Sequence, residues 1–188
     1  MTILHSLEIG LFLEPGSATD AMIRALQRLR CNTTHTWPMP ATFPDKFEMI
    51  ICTMDPDLPQ RIPWLPGEPE VALVIIDPGI GDLDLKVIRN CGAHGLLQPP
   101  INQRNLQANL CLALDRFQYE NRLRARIQKL DENLRSIRLI ERAKTLLAKS
   151  KNVTEDEAYS MLRKQSMEQR VAIGTVAQAV VDAYEFII

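Results

Sequence analysis

The sequence predicts a two-part molecule, an α/β unit built on a doubly wound parallel sheet followed by an all-α half. Three observations carry this. All 12 prolines lie at or before Pro100, and seven of the 8 glycines lie at or before Gly95. In that front part, short continuous apolar runs alternate with amphipathic segments, and continuous apolar runs belong to strands buried on both faces of a parallel sheet. Residues 101–188 contain no proline and are rich in Leu, Arg, Ala, Gln and Glu, which makes them helical almost by exclusion.

The first strand is expected over Leu7–Leu13, ended by Glu14-Pro15-Gly16. Ser17–Leu29 then places Ala21, Leu26 and Leu29 at helical spacing. Residues Cys31–Trp37 are read as one more strand, and Phe47–Cys52 and Val71–Ile76 as two strong ones. Ile88–Ala93 leads into a last short run, Gly95-Leu96-Leu97, closed by Pro99-Pro100. Strand and helix in alternation give a doubly wound domain of flavodoxin-like order.

Asn102 is placed to cap a long helix, which nothing interrupts before about Lys149, a length of roughly 70 Å at 1.5 Å per residue. Leu123, Ile127, Leu130, Leu134 and Ile137 follow 4-3-4-3 spacing, the seam of a short coiled coil and a candidate surface for self-association. After Lys149–Val153 comes Thr154-Glu155-Asp156-Glu157, a capping box that opens a helix carrying Ala158, Met161 and Leu162 on one face. Ser166-Met167-Glu168-Gln169 reads as a second capping box, opening a last helix through Val171, Ile173, Val176, Ala177, Val180 and Val181. The pair is expected to pack on Ile140, Ala143 and Leu147 of the long helix. The apolar end, Tyr184–Ile188, is expected to be covered, because an exposed Phe-Ile-Ile would be costly in water.

Charge divides along the same line. Residues 1–100 carry 7 Lys and Arg against 12 Asp and Glu, and residues 101–188 carry 15 against 11. A polyanion would therefore meet the back half. Cys31, Cys52, Cys91 and Cys111 form no Cys-x-x-Cys pair, which speaks for buried reduced thiols rather than disulfides or a metal. The start of the chain lacks the pattern of a signal peptide and no apolar run has the length of a membrane span, so a cytoplasmic protein is expected. His5, His35 and His94 are isolated, and Asp77-Pro78-Gly79-Ile80-Gly81 reads as a turn rather than a phosphate loop. No catalytic set, cofactor site or metal site is expected, and the chain is read as a non-enzyme.

The run from Ile140 to Val181 resembles an ANTAR domain. The residues that carry the resemblance are Ile140-Glu141-Arg142-Ala143-Lys144, Leu146-Leu147, Thr154-Glu155, Glu157-Ala158, Leu162-Arg163, Ser166-Met167, Val176-Ala177 and Val180-Val181. Thr145 departs from it, standing where the family usually has a smaller residue. The order of receiver-like domain, long helix and ANTAR domain is similar to that of the AmiR/NasT antiterminators. Trp37-Pro38-Met39-Pro40 and Gln98-Pro99-Pro100 point to the branch of the aliphatic amidase regulators. The resemblance implies three parts: a pseudo-receiver over 1–101, a helical stalk over 102–139 and an ANTAR domain over 140–188. It also implies a homodimer that binds stem-loops in leader mRNA, preventing a terminator hairpin, and a ligand-sensing repressor protein as partner. Lys144, Arg163, Lys164 and Arg170 are the candidate phosphate contacts, with Ser166 and Gln169 as polar readers near a helix start.

An active receiver needs an acidic pair, an acceptor Asp, a hydroxyl and a Lys. Here one acid, Glu14, follows the first strand, and the acceptor position falls on Thr53. Asp55 is the alternative acceptor on a shifted register, Asp77 stands where a hydroxyl is expected, and Pro99 holds the Lys position. Phosphorylation control is therefore not expected. Two other readings stay open. A DNA-binding response regulator would need a base-reading helix, which the apolar last helix does not offer. A signalling adaptor would use the basic residues as ordinary surface charge.

Overall fold

The computed structural model describes residues 4–65 and 68–185. Phe186–Ile188, on which most of the expectation of a covered tail rests, lie outside the described residues. The elements in chain order are β1 (Glu8–Phe12), α1 (Ser17–Arg28), β2 (Asn32–His35), β3 (Met49–Thr53), α2 (Leu58–Arg61), β4 (Ala72–Ile76), α3 (Leu85–Cys91), β5 (Gly95–Leu97), α4 (Gln103–Lys151), α5 (Glu155–Gln169) and α6 (Ile173–Glu185). The chain divides by packing into two compact units, 1–121 and 122–188, with the division falling inside α4.

In the first unit all five strands are parallel in the order β2-β1-β3-β4-β5. Because a strand alternates faces with period two, the continuous apolar runs feed two cores. Ile9, Leu11, Met49, Ile51, Val74 and Ile76 point to one face, where Met22 and Leu26 of α1 and Leu106, Leu110, Ala113 and Leu114 of α4 cover them. Phe12, Ile50, Cys52, Leu73 and Ile75 point to the other, under Phe43, Phe47, Leu58, Trp64, Val87 and Cys91. The continuous apolar runs thus read both faces correctly, although β1, β3 and β4 are one or two residues shorter than their runs, β2 is three shorter than expected, and β5 matches.

The start of α4 is fixed by polar groups. Asn102 Oδ1 accepts from the Asn105 backbone N–H at 2.8 Å, the expected cap. One turn on, Asn109 Nδ2 donates to the Leu96 carbonyl at 2.7 Å. A Cβ at residue 95 would fall on the Asn109 side chain and 3.3 Å from Ala113 Cβ, so Gly95 is what lets α4 lie this close to β5. His94, read from sequence as isolated, is buried here. Its backbone N–H donates to the Leu73 carbonyl at 2.8 Å, and its Nδ1 accepts from the Leu73 N–H at 3.1 Å. With Nδ1 accepting, the ring proton is assigned to Nε2, which lies 3.5 Å from Glu120 Oε2.

The second unit is a three-helix core of Ala143 and Leu147 from α4, Ala158 and Leu162 from α5, and Val176, Ala177 and Val181 from α6. Thr154 forms the expected capping box. Its backbone N–H donates to Glu157 Oε2 at 2.9 Å, and its hydroxyl accepts from the Glu157 N–H at 3.3 Å. Gly174 is needed at the start of α6, where a Cβ would lie 3.3 Å from Ser136 Cβ and would overlap its hydroxyl.

Two expectations for this unit are corrected. Ser166 does not open the last helix: α5 runs through it to Gln169, and α6 begins at Ile173. The break comes at Arg170, whose φ of 56° turns the chain left-handed, so that the Val171 N–H returns to the Ser166 carbonyl at 3.1 Å. Ser166 Oγ donates to the Val171 carbonyl at 2.7 Å instead of capping a new helix. The Ser-x-x-Gln spacing also fits the last turn of a helix, and sequence alone did not separate the two. Met161 and Val171, expected on packing faces, are 37% and 39% exposed.

Hydrogen bonds from the Thr154 backbone and hydroxyl hold the Glu157 carboxyl below the usual glutamate range. Its contribution is therefore complete above the ordinary glutamate pKa and is lost as pH falls through the depressed folded value. Thr154→Ala should cost about 1 kcal/mol, read as a lower melting temperature of the full chain. The gap between wild type and Glu157→Ala should close as the pH is taken below the glutamate range; a gap independent of pH would refute the capping role.

Candidate nucleic-acid interface

The candidate contacts separate into two places on the second unit. Lys144 is clamped at the α4–α5 corner, its Nζ 2.9 Å from Glu141 Oε2 and 3.5 Å from Glu155 Oε2. Its side chain is only 15% exposed. The hydrogen bond to Glu141 is the main cause holding its pKa above the usual lysine value. Two carboxylates thus already neutralise this ammonium, and its geometry is that of a structural clip between helices.

Arg163, Lys164, Ser166, Gln169 and Arg170 cluster instead at the C-terminal half of α5. Glu155 and Arg163 are eight residues apart, so this cluster begins about 12 Å along the helix from the Lys144 clip. Arg163 and Lys164 are exposed, as are Gln169 and Arg170, while Ser166 is half-buried. Lys164 Nζ lies 3.9 Å from Glu168 Oε1, a loose surface pair of little energetic weight. Ser166 and Gln169 sit at a helix end rather than at a helix start, which corrects their expected position and removes a helix N-terminus from their chemistry.

Helical spacing groups these side chains more finely. Tyr159, Arg163 and Met167 recur at intervals of four on α5 and form one outward strip, and the exposed Arg170 follows at the turn that ends the helix. Tyr159 is 42% exposed and Met167 70% exposed, so neither belongs to the core. Arg163 and Arg170 thus stand with an aromatic ring at one end of the strip and an exposed thioether between them. Gln169 turns the other way, lining a groove with Gln165, Val176 and Val180 beside α6. Neither Tyr159 nor Met167 is among the contacts expected from the sequence. Extending the spacing of four from Arg163 in both directions would have found the strip.

Arg170 also holds an unusual backbone position. A left-handed residue at a helix end is ordinarily Gly or Asn, and a longer side chain there costs conformational energy. The turn therefore presents a guanidinium where packing alone would favour glycine.

On α4, Leu123, Ile127, Leu130, Leu134 and Ile137 are each 41% to 58% exposed. In heptad terms Ile127 and Leu134 take the a positions and Leu123, Leu130 and Ile137 the d positions. This stripe lacks intramolecular cover sufficient to bury it.

At the strand ends of the first unit, Thr53 closes β3 and is half-buried. Asp55 lies beyond it, its Oδ1 accepting from the Asp57 N–H at 2.8 Å and its Oδ2 lying 3.8 Å from Arg61. Asp77 is buried, accepting from Gln98 Nε2 at 2.8 Å and from the Gly79 N–H at 3.1 Å. The Gln98 bond is the main cause holding its carboxyl below the usual range. Asp77 is thus committed to tying the β4 and β5 loops together.

Comparison with known proteins matches this division. The ANTAR domain family model covers residues 128–181, and the model described as AmiR, N-terminal, covers residues 7–114. The aliphatic amidase regulator of Pseudomonas aeruginosa is 24% identical over 178 residues, spanning 93% of this chain and 91% of that protein. The transcriptional regulatory protein PdtaR of Mycobacterium tuberculosis is 28% identical over 113 residues, 60% of this chain and 55% of that one. Among solved structures, the response regulator StyR superposes with a TM-score of 0.54 at 11% identity, covering 94% of this chain and 98% of StyR, a likeness of fold. Since one of these family models spans more than half of the sequence and the other most of the remainder, the chain belongs to the AmiR family of ANTAR-domain regulators.

Proposed function

We propose that this chain is a dimeric RNA-binding antiterminator: its ANTAR domain binds stem-loops in nascent leader mRNA and keeps a terminator hairpin from forming. The observation that carries the reading is the outward strip of Tyr159, Arg163 and Met167, followed by Arg170 at the turn, on a domain of this family. Exposed guanidinium groups supply phosphate affinity, and an aromatic ring offers a face on which an unstacked loop base can stack. The name of the Pseudomonas relative, a regulator of an aliphatic amidase, supports gene control as the output. Salt-dependent RNA binding separates this reading from an adaptor, and indifference to duplex DNA separates it from a DNA-binding response regulator.

The domain arrangement we infer is a pseudo-receiver over 1–101, a stalk over 102–139 and an ANTAR domain over 140–188. Two copies would pair through the α4 stripe, with Ile127 and Leu134 at a and Leu123, Leu130 and Ile137 at d facing across the seam. Two RNA-binding strips in one dimer raise the effective concentration for a leader with two loops. Control would come from a partner or ligand, such as a ligand-sensing repressor protein, rather than from phosphorylation. That view is supported by Thr53 at the acceptor position, the committed carboxylate of Asp77 and Pro99 in place of a Lys.

In a filter-binding titration against a leader RNA with two stem-loops, Arg163→Ala and Arg170→Ala should each weaken binding about tenfold, roughly 1.4 kcal/mol. Each should also lower the slope of log affinity against log salt by about 1 per contact. Lys144→Ala should act differently, lowering the melting temperature while leaving that slope unchanged. Tight binding to duplex DNA of the same sequence, or none to either nucleic acid, would sink the RNA reading. Ile127→Asp with Leu134→Asp should convert the protein from dimer to monomer in sedimentation and cost the two-loop RNA its advantage over a one-loop RNA. Incubation with acetyl phosphate and Mg²⁺ should leave the mass of the intact chain unchanged; an added phosphoryl group removed by Asp55→Asn would overturn the phosphorylation-independent view.

A further inference from the structure

The first unit contains a cavity of about 590 Å³ between α1 and the first turn of α4, at the C-terminal ends of β1, β3 and β4. We propose that this cavity is a binding site for a small neutral molecule with an apolar body and one hydrogen-bonding head.

Its position is where open α/β sheets place ligands. In the order β2-β1-β3-β4-β5 the chain switches direction between β1 and β3, and the crevice lies beyond the carboxyl ends of those strands. The volume falls in the range of pockets that take small organic ligands, roughly 300–1,000 Å³. Its floor is buried, formed by Leu13, Met22, Ala25, Ile76 and Leu106, none more than 9% exposed, while its mouth opens to solvent.

The chemistry of the lining selects the ligand. The buried wall carries no charge, and its one buried hydroxyl, Thr19 Oγ1, already donates to the Glu14 carbonyl at 2.7 Å. Such a wall is suited to apolar groups, and a buried ion there would go uncompensated. Pro78, Pro99 and Pro100 stand at the strand-end side. A proline has no backbone N–H, so these three positions offer none of the donors with which strand-end and helix-start sites usually hold phosphate. Glu14, Arg28 and Gln103, all exposed, lie at the rim, where opposite charges and an amide would meet a single polar head rather than a strong anion. The ligand would rest on Leu106, in the first turn of the helix that also carries the exposed Leu123–Ile137 stripe.

The test uses the full chain without RNA, so that it stands or falls separately from the antiterminator reading. Cyclohexanol serves as the probe, followed by calorimetry and by saturation-transfer NMR. Ala21→Leu and Ala25→Leu fill the recess from α1; Ala21 is exposed, and leucine suits a helix, so the first of these should keep its fold. The expected result is saturable binding at one site per chain. Its dissociation constant should rise at least tenfold in a filled variant with native circular dichroism, and inorganic phosphate should not compete. Absence of saturable binding, equal binding in the folded Ala21→Leu variant, or displacement by phosphate would each overturn the assignment. A second copy of the chain seated over the recess would give the first of those results.

Discussion

The packing of Leu106, Leu110, Ala113 and Leu114 of α4 on the sheet is the constraint on which the rest of the structure depends. Together with Met22 and Leu26 of α1, these residues cover one face of β1, β3 and β4 and keep Ile9, Leu11, Met49, Ile51 and Val74 from water. At about 25 cal/mol per Å² of apolar surface removed from water, burial of this kind is the main favourable term in folding. The same helix then supplies Ala143 and Leu147 to the core of the second unit. One helix is thus a wall of each core. Its registration on the sheet is set by the absent side chain of Gly95, the Asn109 amide and the edge-to-face contact of His94 with Phe117.

The first unit keeps the sheet of a receiver while its strand-end chemistry differs. Asp77, on the strand where a hydroxyl is expected, is spent on Gln98 and Gly79, which makes the β4 and β5 loops part of one rigid edge. Glu14, Thr53 and Pro99 stand at that edge, and on them rests the proposal of control without phosphorylation. What occupies the place is largely apolar surface, and the proposed neutral ligand follows from that substitution.

The second unit sorts its cations by task. Lys144 is absorbed by Glu141 and Glu155, so its charge serves the α4–α5 corner. Among the described residues Arg163 and Arg170 make no such ion pair, and they stand exposed beside Tyr159 and Met167. The left-handed backbone at Arg170 ends α5 and at the same time displays a guanidinium at the turn, so one residue answers to fold and to the proposed interface together.

What the sequence by itself determined is the architecture. Apolar runs without alternation require strands buried on both faces, the confinement of proline to the first 100 residues leaves helix as the outcome for the rest, and Thr154 with Glu157 sets the start of α5 by purely local hydrogen bonds. What only the tertiary structure decided are the features that depend on distant neighbours. Ser166 has the local pattern of a cap, yet whether a helix continues through it depends on where α6 can pack, and Arg170 takes the turn. Lys144 and Arg163 look alike as basic residues on amphipathic helices. One became a clip because the fold brings Glu155 beside it, and the other stayed at the surface because α5 turns that face outward. The recess beyond β1, β3 and β4 is formed by residues from five separate segments, and a cavity has no signature in any one of them. Periodicity and capping are local properties of the chain, whereas pairing and concavity exist only once the segments are brought together.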